Sequence, residues 1–189
     1  PRRTTDFYGN KLFLTGKSLT NKEYAAFLSK YAESYREAIL TAISKLQAEG
    51  HKKVLVIDHH NTAGDHPVGA TGQYMPMLTV CNGGTTGKTS CPTEYLQTFT
   101  QSFEKSFGYP AEINKVYKIG HTIQWLAKSV QKEFPDMELH GFLLEYNLNI
   151  IHNSVTRSND LRAIEKLHKS INKAIDAVFS SHFSENISS

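Results

Sequence analysis

The chain has 189 residues, 39% of them hydrophobic and 21% charged, enough apolar surface for a single domain with a core and too much for a disordered chain. Lys and Arg number 21 against 18 Asp and Glu, and they are dispersed among the acidic residues. Composition therefore offers no electrostatic footprint for nucleic acid, and no apolar run approaches the roughly 20 residues of a membrane helix. Two cysteines, Cys81 and Cys91, share one loop-like stretch and form no disulfide framework, so a reducing, cytoplasmic setting is expected. The first residue is Pro1 and no signal-peptide pattern follows it, which reads as a chain that begins partway into a longer product.

Residues 1–16 carry no sustained period and contain Gly9 and Gly16, as an extended segment or loop would. Thr20 and Glu23 have capping-box spacing. Apolar residues then recur at Tyr24, Phe27, Leu28, Tyr31, Tyr35, Ala38, Ile39, Ala42, Ile43 and Leu46 before Gly50, predicting a long amphipathic helix with its aromatic residues in the core. Residues 53–58 form a β-branched run that reads as a buried strand ending at Asp58. Residues 59–87 are rich in Gly, Thr, Asn and His around an apolar patch at 77–80, predicting loops about a small strand. A second helix is expected over 92–107, closed by Gly108, then a strand over 109–117, a third helix over 122–134 closed by Pro135, and a buried strand over 141–146. A C-terminal helix follows through Leu161, Ile164, Leu167, Ile171, Ala174, Ile175 and Val178, with Ser158 or Asn159 as its cap. Strands alternating with helices predict a three-layer α/β domain.

In such sheets, sites gather where loops leave the carboxyl ends of strands. Asp58-His59-His60-Asn61-Thr62 closes one strand and Glu145-Tyr146-Asn147 closes another. A neutral imidazole is a good zinc ligand, and a carboxylate on its second ring nitrogen fixes the tautomer, roles that suit His60 and Asp58. A carboxylate at Glu145 would take a proton from an attacking water and return it to a leaving nitrogen, given hydrogen-bond reach. The ordinary alternatives are a lysine partner for Glu145 and no role for several of the nine histidines; His66, His121, His140 and His152 read as structural or surface residues. The glycines at 83, 84 and 87 match no phosphate-binding pattern.

The Asp58 to Thr62 run resembles the strand-end D-x-H-[NST] motif of zinc amidohydrolases related to the zinc carboxypeptidases. Gly87-Lys88-Thr89-Ser90-Cys91-Pro92, the helix to Gly108-Tyr109, Asn114-Lys115-Val116-Tyr117-Lys118 with Gly120, His140-Gly141 and Glu145-Tyr146-Asn147 are similar in order and spacing to N-formylglutamate amidohydrolases. The resemblance runs from about Arg3 to the last helix. It implies an α/β/α fold with a mixed, mostly parallel sheet, a zinc cofactor, His60 as ligand, Asp58 as its orienter and Glu145 as catalytic carboxylate. Arg3, Asn61, Lys118 and Asn147 are the implied substrate-binding residues, and a small N-acyl amino acid, N-formylglutamate in the usual case, is the implied partner. The sequence departs from the pattern in two places: Tyr8-Gly9 stands where an Asn-Arg pair is expected, and Leu148 replaces the arginine that often follows E-x-N. Guanidinium pairs are a main way to hold a dicarboxylate, so the acyl amino acid is left open. The family's first metal ligands, a His and an acid, precede the Arg3 region. They are expected upstream of Pro1, with His59, Asp65 or His66 as substitutes.

The expected function is zinc-dependent hydrolysis of an N-acyl amino acid amide. The alternatives are a catalytically silent domain of the same fold that binds a carboxylate or a protein, and a metallo-exopeptidase or peptidoglycan-type amidase.

Overall fold

The computed structural model describes residues 19–62, 67–68, 73–74, 76–83, 89–115, 121–153, 156 and 158–183. Two units partition the chain, residues 1–51 with 69–72 and residues 52–68 with 73–189. The expected loop at 1–16 lies outside the described residues.

In the first unit the capping box forms: Thr20 Oγ1 accepts from Glu23 N at 3.2 Å, and Glu23 Oε2 accepts from Thr20 N at 2.7 Å. These bonds satisfy N–H groups that a helix start leaves without partners. Helix α1, Asn21–Phe27, runs through a π-type segment, Leu28–Glu33, into α2, Ser34–Ala48. The expectation that its aromatic residues belong to the core is corrected here. Ile43 is buried, whereas Phe27, Tyr31 and Tyr35 are each more than half exposed. Among the described residues of this unit the helical run has no second element beside it, so nothing there covers an apolar stripe.

In the second unit, β1 (Lys53–Thr62), β4 (Leu78–Cys81), β5 (Ala111–Ile113) and β6 (Glu138–Asn147) form a sheet in the order β1-β6-β4-β5. β1 runs parallel to β6 and β4 parallel to β5, while β4 and β6 are antiparallel. Two short antiparallel pairs stand apart from this sheet, β2 (Pro67–Val68) with β3 (Gln73–Tyr74), and β7 (His152–Asn153) with β8 (Ser158–Asn159).

Alternation along each strand sorts the sheet into two faces. On one, Leu78, Val80, Phe142 and Leu144 pack with Phe99, Phe103 and Phe107 of α3 (Thr93–Phe107) and with Leu167, Ile171, Ala174 and Val178 of α6 (Leu161–His182). The other face meets α4 (His121–Trp125), which continues through a π-type turn, Leu126–Val130, into α5 (Gln131–Glu133). Gly141 permits that approach: a Cβ there would lie 2.9 Å from Ile123 Cδ1, 3.0 Å from Leu126 Cδ2 and 3.1 Å from the Val56 carbonyl oxygen. The predicted three-layer α/β architecture with a mixed, mostly parallel sheet is the one observed.

Several boundaries differ from the sequence reading. β1 continues four residues past Asp58, because β6 supplies a hydrogen-bonding partner as far as Asn147 and polar side chains do not end a strand whose backbone remains paired. β5 is shorter than residues 109–117, since Asn114 turns left-handed at φ 56°, its Oδ1 accepting from Asn82 N at 3.0 Å and its Nδ2 donating to Asn82 Oδ1 at 2.9 Å. Residues 116–120 lie outside the description. The cap of α6 is Asp160, whose Oδ1 accepts from Arg162 N and Ala163 N at 2.9 and 3.1 Å; Ser158 and Asn159 are instead engaged in pairing with β7.

Two outcomes test this packing. Gly141→Ala should cost about 1–3 kcal/mol in urea unfolding, because its new methyl meets a backbone oxygen as well as two side chains. At the amino end of β6, Glu138 accepts from His140 at 2.7 Å and pairs with Lys53 at 3.4 Å. Burial raises its carboxyl, but the His140 and Lys53 contacts outweigh burial and hold it below the ordinary 4.5. The folded state therefore binds this proton less readily than the unfolded one, so stability from this group is present above pH 4.5 and lost as pH falls through the depressed value. Glu138→Gln should flatten that part of a stability-against-pH curve.

Candidate functional site

The parallel ladder between β1 and β6 aligns His60 with Glu145, Asp58 with Leu143 and Thr62 with Asn147. Residues two apart on a strand share a face, and Asp58 and His60 do: His60 Nε2 donates to Asp58 Oδ1 at 2.9 Å. The acid is buried, whereas the imidazole is 54% exposed. A buried carboxylate thus anchors a ring that projects outward, leaving Nδ1 as the nitrogen able to take a ligand.

Glu145 is buried on the adjoining strand. β4 sets Thr79 opposite Glu145, and β5 sets Glu112 opposite Thr79, so His60, Glu145, Thr79 and Glu112 make one row across one face of the sheet. Thr79 Oγ1 donates to the Glu112 carbonyl at 3.1 Å, and Glu112 Oε1 accepts from Lys115 at 2.9 Å. Thr79 and Glu112 were not singled out from the sequence. Both lie in short strands whose neighbours in the sheet only the assembled fold defines.

Of the other predicted site residues, Asn147 shares the face of Glu145, two positions along β6, and Asn61 does not. Asn147 is buried, and its Oδ1 accepts from Asn149 N at 2.9 Å, closing the 3₁₀ turn Leu148–Ile150. Asn61 belongs to the opposite face from His60, together with His59, whose ring lies 5.4 Å from that of Tyr146. Partial burial lowers the His59 pKa, and the nearby charges of His168 and His60 lower it further. Arg3, Lys118, Asp65 and His66 lie outside the described residues. His140 is buried against Tyr95, and His152 Nδ1 meets Asn159 Oδ1 at 2.9 Å, both structural as expected. Among the described residues, no three His, Cys, Asp or Glu side chains group to hold a metal ion.

Neither cysteine is suited to attack a substrate. Cys81 and Cys91 are both buried. Burial pushes the Cys91 thiol up to about 12, against a hydrogen bond to Asn82 that lowers it and with the charge of Glu94 that raises it further, so the nucleophilic thiolate is scarce at neutral pH. Iodoacetamide at pH 8 should leave both thiols unmodified in the folded protein and alkylate both in urea, as intact mass will record.

The fold is thus an α/β sheet that gathers acid and imidazole at the carboxyl ends of two parallel strands. The family model for N-formylglutamate amidohydrolase matches residues 1–151, and the chain belongs to that family. Among solved structures, the N-formylglutamate amidohydrolase of Ralstonia eutropha JMP134 superposes with a TM-score of 0.66 at 13% identity, over 89% of this chain and 59% of its own. The gene product Atu2144 of Agrobacterium tumefaciens superposes with a TM-score of 0.57 at 15% identity, over 93% of this chain and 62% of its own. At these identities the likeness is one of fold, and the chain spans about three fifths of either structure. No curated protein matches it.

Proposed function

We propose that this protein is a metal-dependent amidohydrolase that cleaves the amide of a small N-acyl amino acid, with zinc held in part by His60. The observation that carries the reading is the pairing of an anchored imidazole with a buried carboxylate: His60 Nε2 lies 2.9 Å from Asp58 Oδ1, and His60 stands in register with Glu145. A nitrogen ligand whose second ring atom is fixed by a carboxylate is the donor chemistry that zinc sites use, so the residues present fit one ligand position and its support. The family match supports amide hydrolysis. When bound, zinc supplies a Lewis acid that polarises a carbonyl and lowers the pKa of water to about 7.

The chain's own groups do the rest. Asp58 keeps the proton of His60 on Nε2 and the ring aimed outward. Glu145 receives the proton of the attacking water and delivers it to the departing amide nitrogen, which would otherwise leave as an unstable anion. The acyl amino acid need not be acidic, since Tyr8-Gly9 and Leu148 stand where arginines that grip a dicarboxylate are expected.

Metal analysis and amide-hydrolysis assays on the full-length protein test the reading. His60→Ala should abolish zinc binding. Asp58→Asn should weaken zinc binding about 10–100-fold by loosening the ring. Glu145→Gln should retain zinc while lowering kcat by about 10²–10⁴-fold. Zinc retained by His60→Ala, or full activity in Glu145→Gln, would overturn the assignment. A zinc-free and inactive protein would favour the non-catalytic carboxylate-binding reading.

A further inference from the structure

A groove of about 300 Å³ between α3 and α6 is lined by Ser106, Arg162, Glu165, Lys166, Lys169 and Lys173, among others. The four cations sit at i, i+4, i+7 and i+11 on α6, so they form a single stripe about 16 Å long on one side of the helix. Their alignment concentrates charge that the composition disperses: four cations and one carboxylate leave +3, the formal charge of the whole 189-residue chain.

Only Lys169 has a carboxylate partner among the described residues, Glu165 at 2.7 Å. Lys166 is held 5.0 Å above the Phe107 ring, an arrangement that fixes its arm and leaves its charge unneutralised. Arg162 and Lys173 have no ion-pair partner among the described residues. Same-sign charges lined up along one groove repel one another and raise the local potential, so a bound anion relieves a cost that the folded chain otherwise carries. A groove of this volume matches a small molecule and is too short for the extended track of phosphates that a nucleic acid duplex requires.

We propose that the α3–α6 groove binds a small multivalent oxyanion of the di- or triphosphate class. Arg162 would grip two oxygens of one phosphoryl group, as guanidinium groups do, and Lys166 and Lys173 would supply point charges to the others. The groove opens on the face of the sheet opposite His60 and Glu145, so the site is independent of the proposed hydrolysis.

Calorimetric titration of the full-length protein with sodium tripolyphosphate tests this. One saturable site is expected, weakened several-fold between 25 and 200 mM NaCl. Arg162→Gln combined with Lys173→Gln should weaken it about tenfold or more, the scale of losing a hydrogen bond to a charged group, while Lys45→Gln on α2 should leave it unchanged. All three positions substituted are exposed, so folding of the variants is expected and circular dichroism will verify it. Absence of saturable binding, or equal affinity in the double variant, would overturn the proposal. Citrate bound as tightly as tripolyphosphate would overturn the phosphate assignment, and a DNA duplex bound in preference would overturn the small-anion one.

Discussion

The site depends on the parallel register between β1 and β6. Parallel partners place their side chains on the same face of a sheet, and this pairing sets His60 against Glu145, residues separated by much of the chain. A slip of one residue would set His60 beside Leu144 with Glu145 beside Asn61, or His60 beside Tyr146 with Glu145 beside His59. The register is held by burial on the other face, where Phe142 and Leu144 must stay under α3 and α6. The apolar side of the sheet therefore fixes the chemistry of the polar side.

The same logic explains how acids can be buried in a small protein. Asp58 and Glu145 are both buried, a costly state for a carboxylate without compensation. Asp58 is compensated by the His60 N–H, which makes the orientation of the imidazole a product of electrostatics as well as packing. At the far end of β4 and β5, the buried Asn82 plays a comparable role with neutral groups, donating to the Cys91 carbonyl at 2.8 Å and joining Asn114. Polar groups thus occupy both ends of the sheet, and aromatic packing its middle.

Local chemistry was legible wherever it closed within a few residues. The Thr20 and Glu23 box, the left-handed Gly108 after α3 and the apolar run of β6 needed nothing distant to be read. Legibility failed where the presence or absence of a distant partner decided the outcome. β1 ran through its histidines because β6 was there to pair with it, and the aromatic stripe of α1 and α2 came out exposed because no second described element of its unit covers it. Asp160 took the cap of α6 from its neighbours for a related reason, since the pairing of β7 with β8 had already engaged them.

For the site, sequence alone determined the types of residue and their spacing, an acid and a histidine two apart at a strand end. That Asp58 and His60 share a face follows only once β6 carries β1 through both of them, because strand alternation has a period of two. The meeting of His60 with Glu145, the alignment of Thr79 and Glu112 in the same row and the separation of Asn61 to the opposite face were decided by tertiary structure. They follow from strand order and register, which are set by how distant apolar surfaces pack together and which no stretch of neighbouring residues encodes.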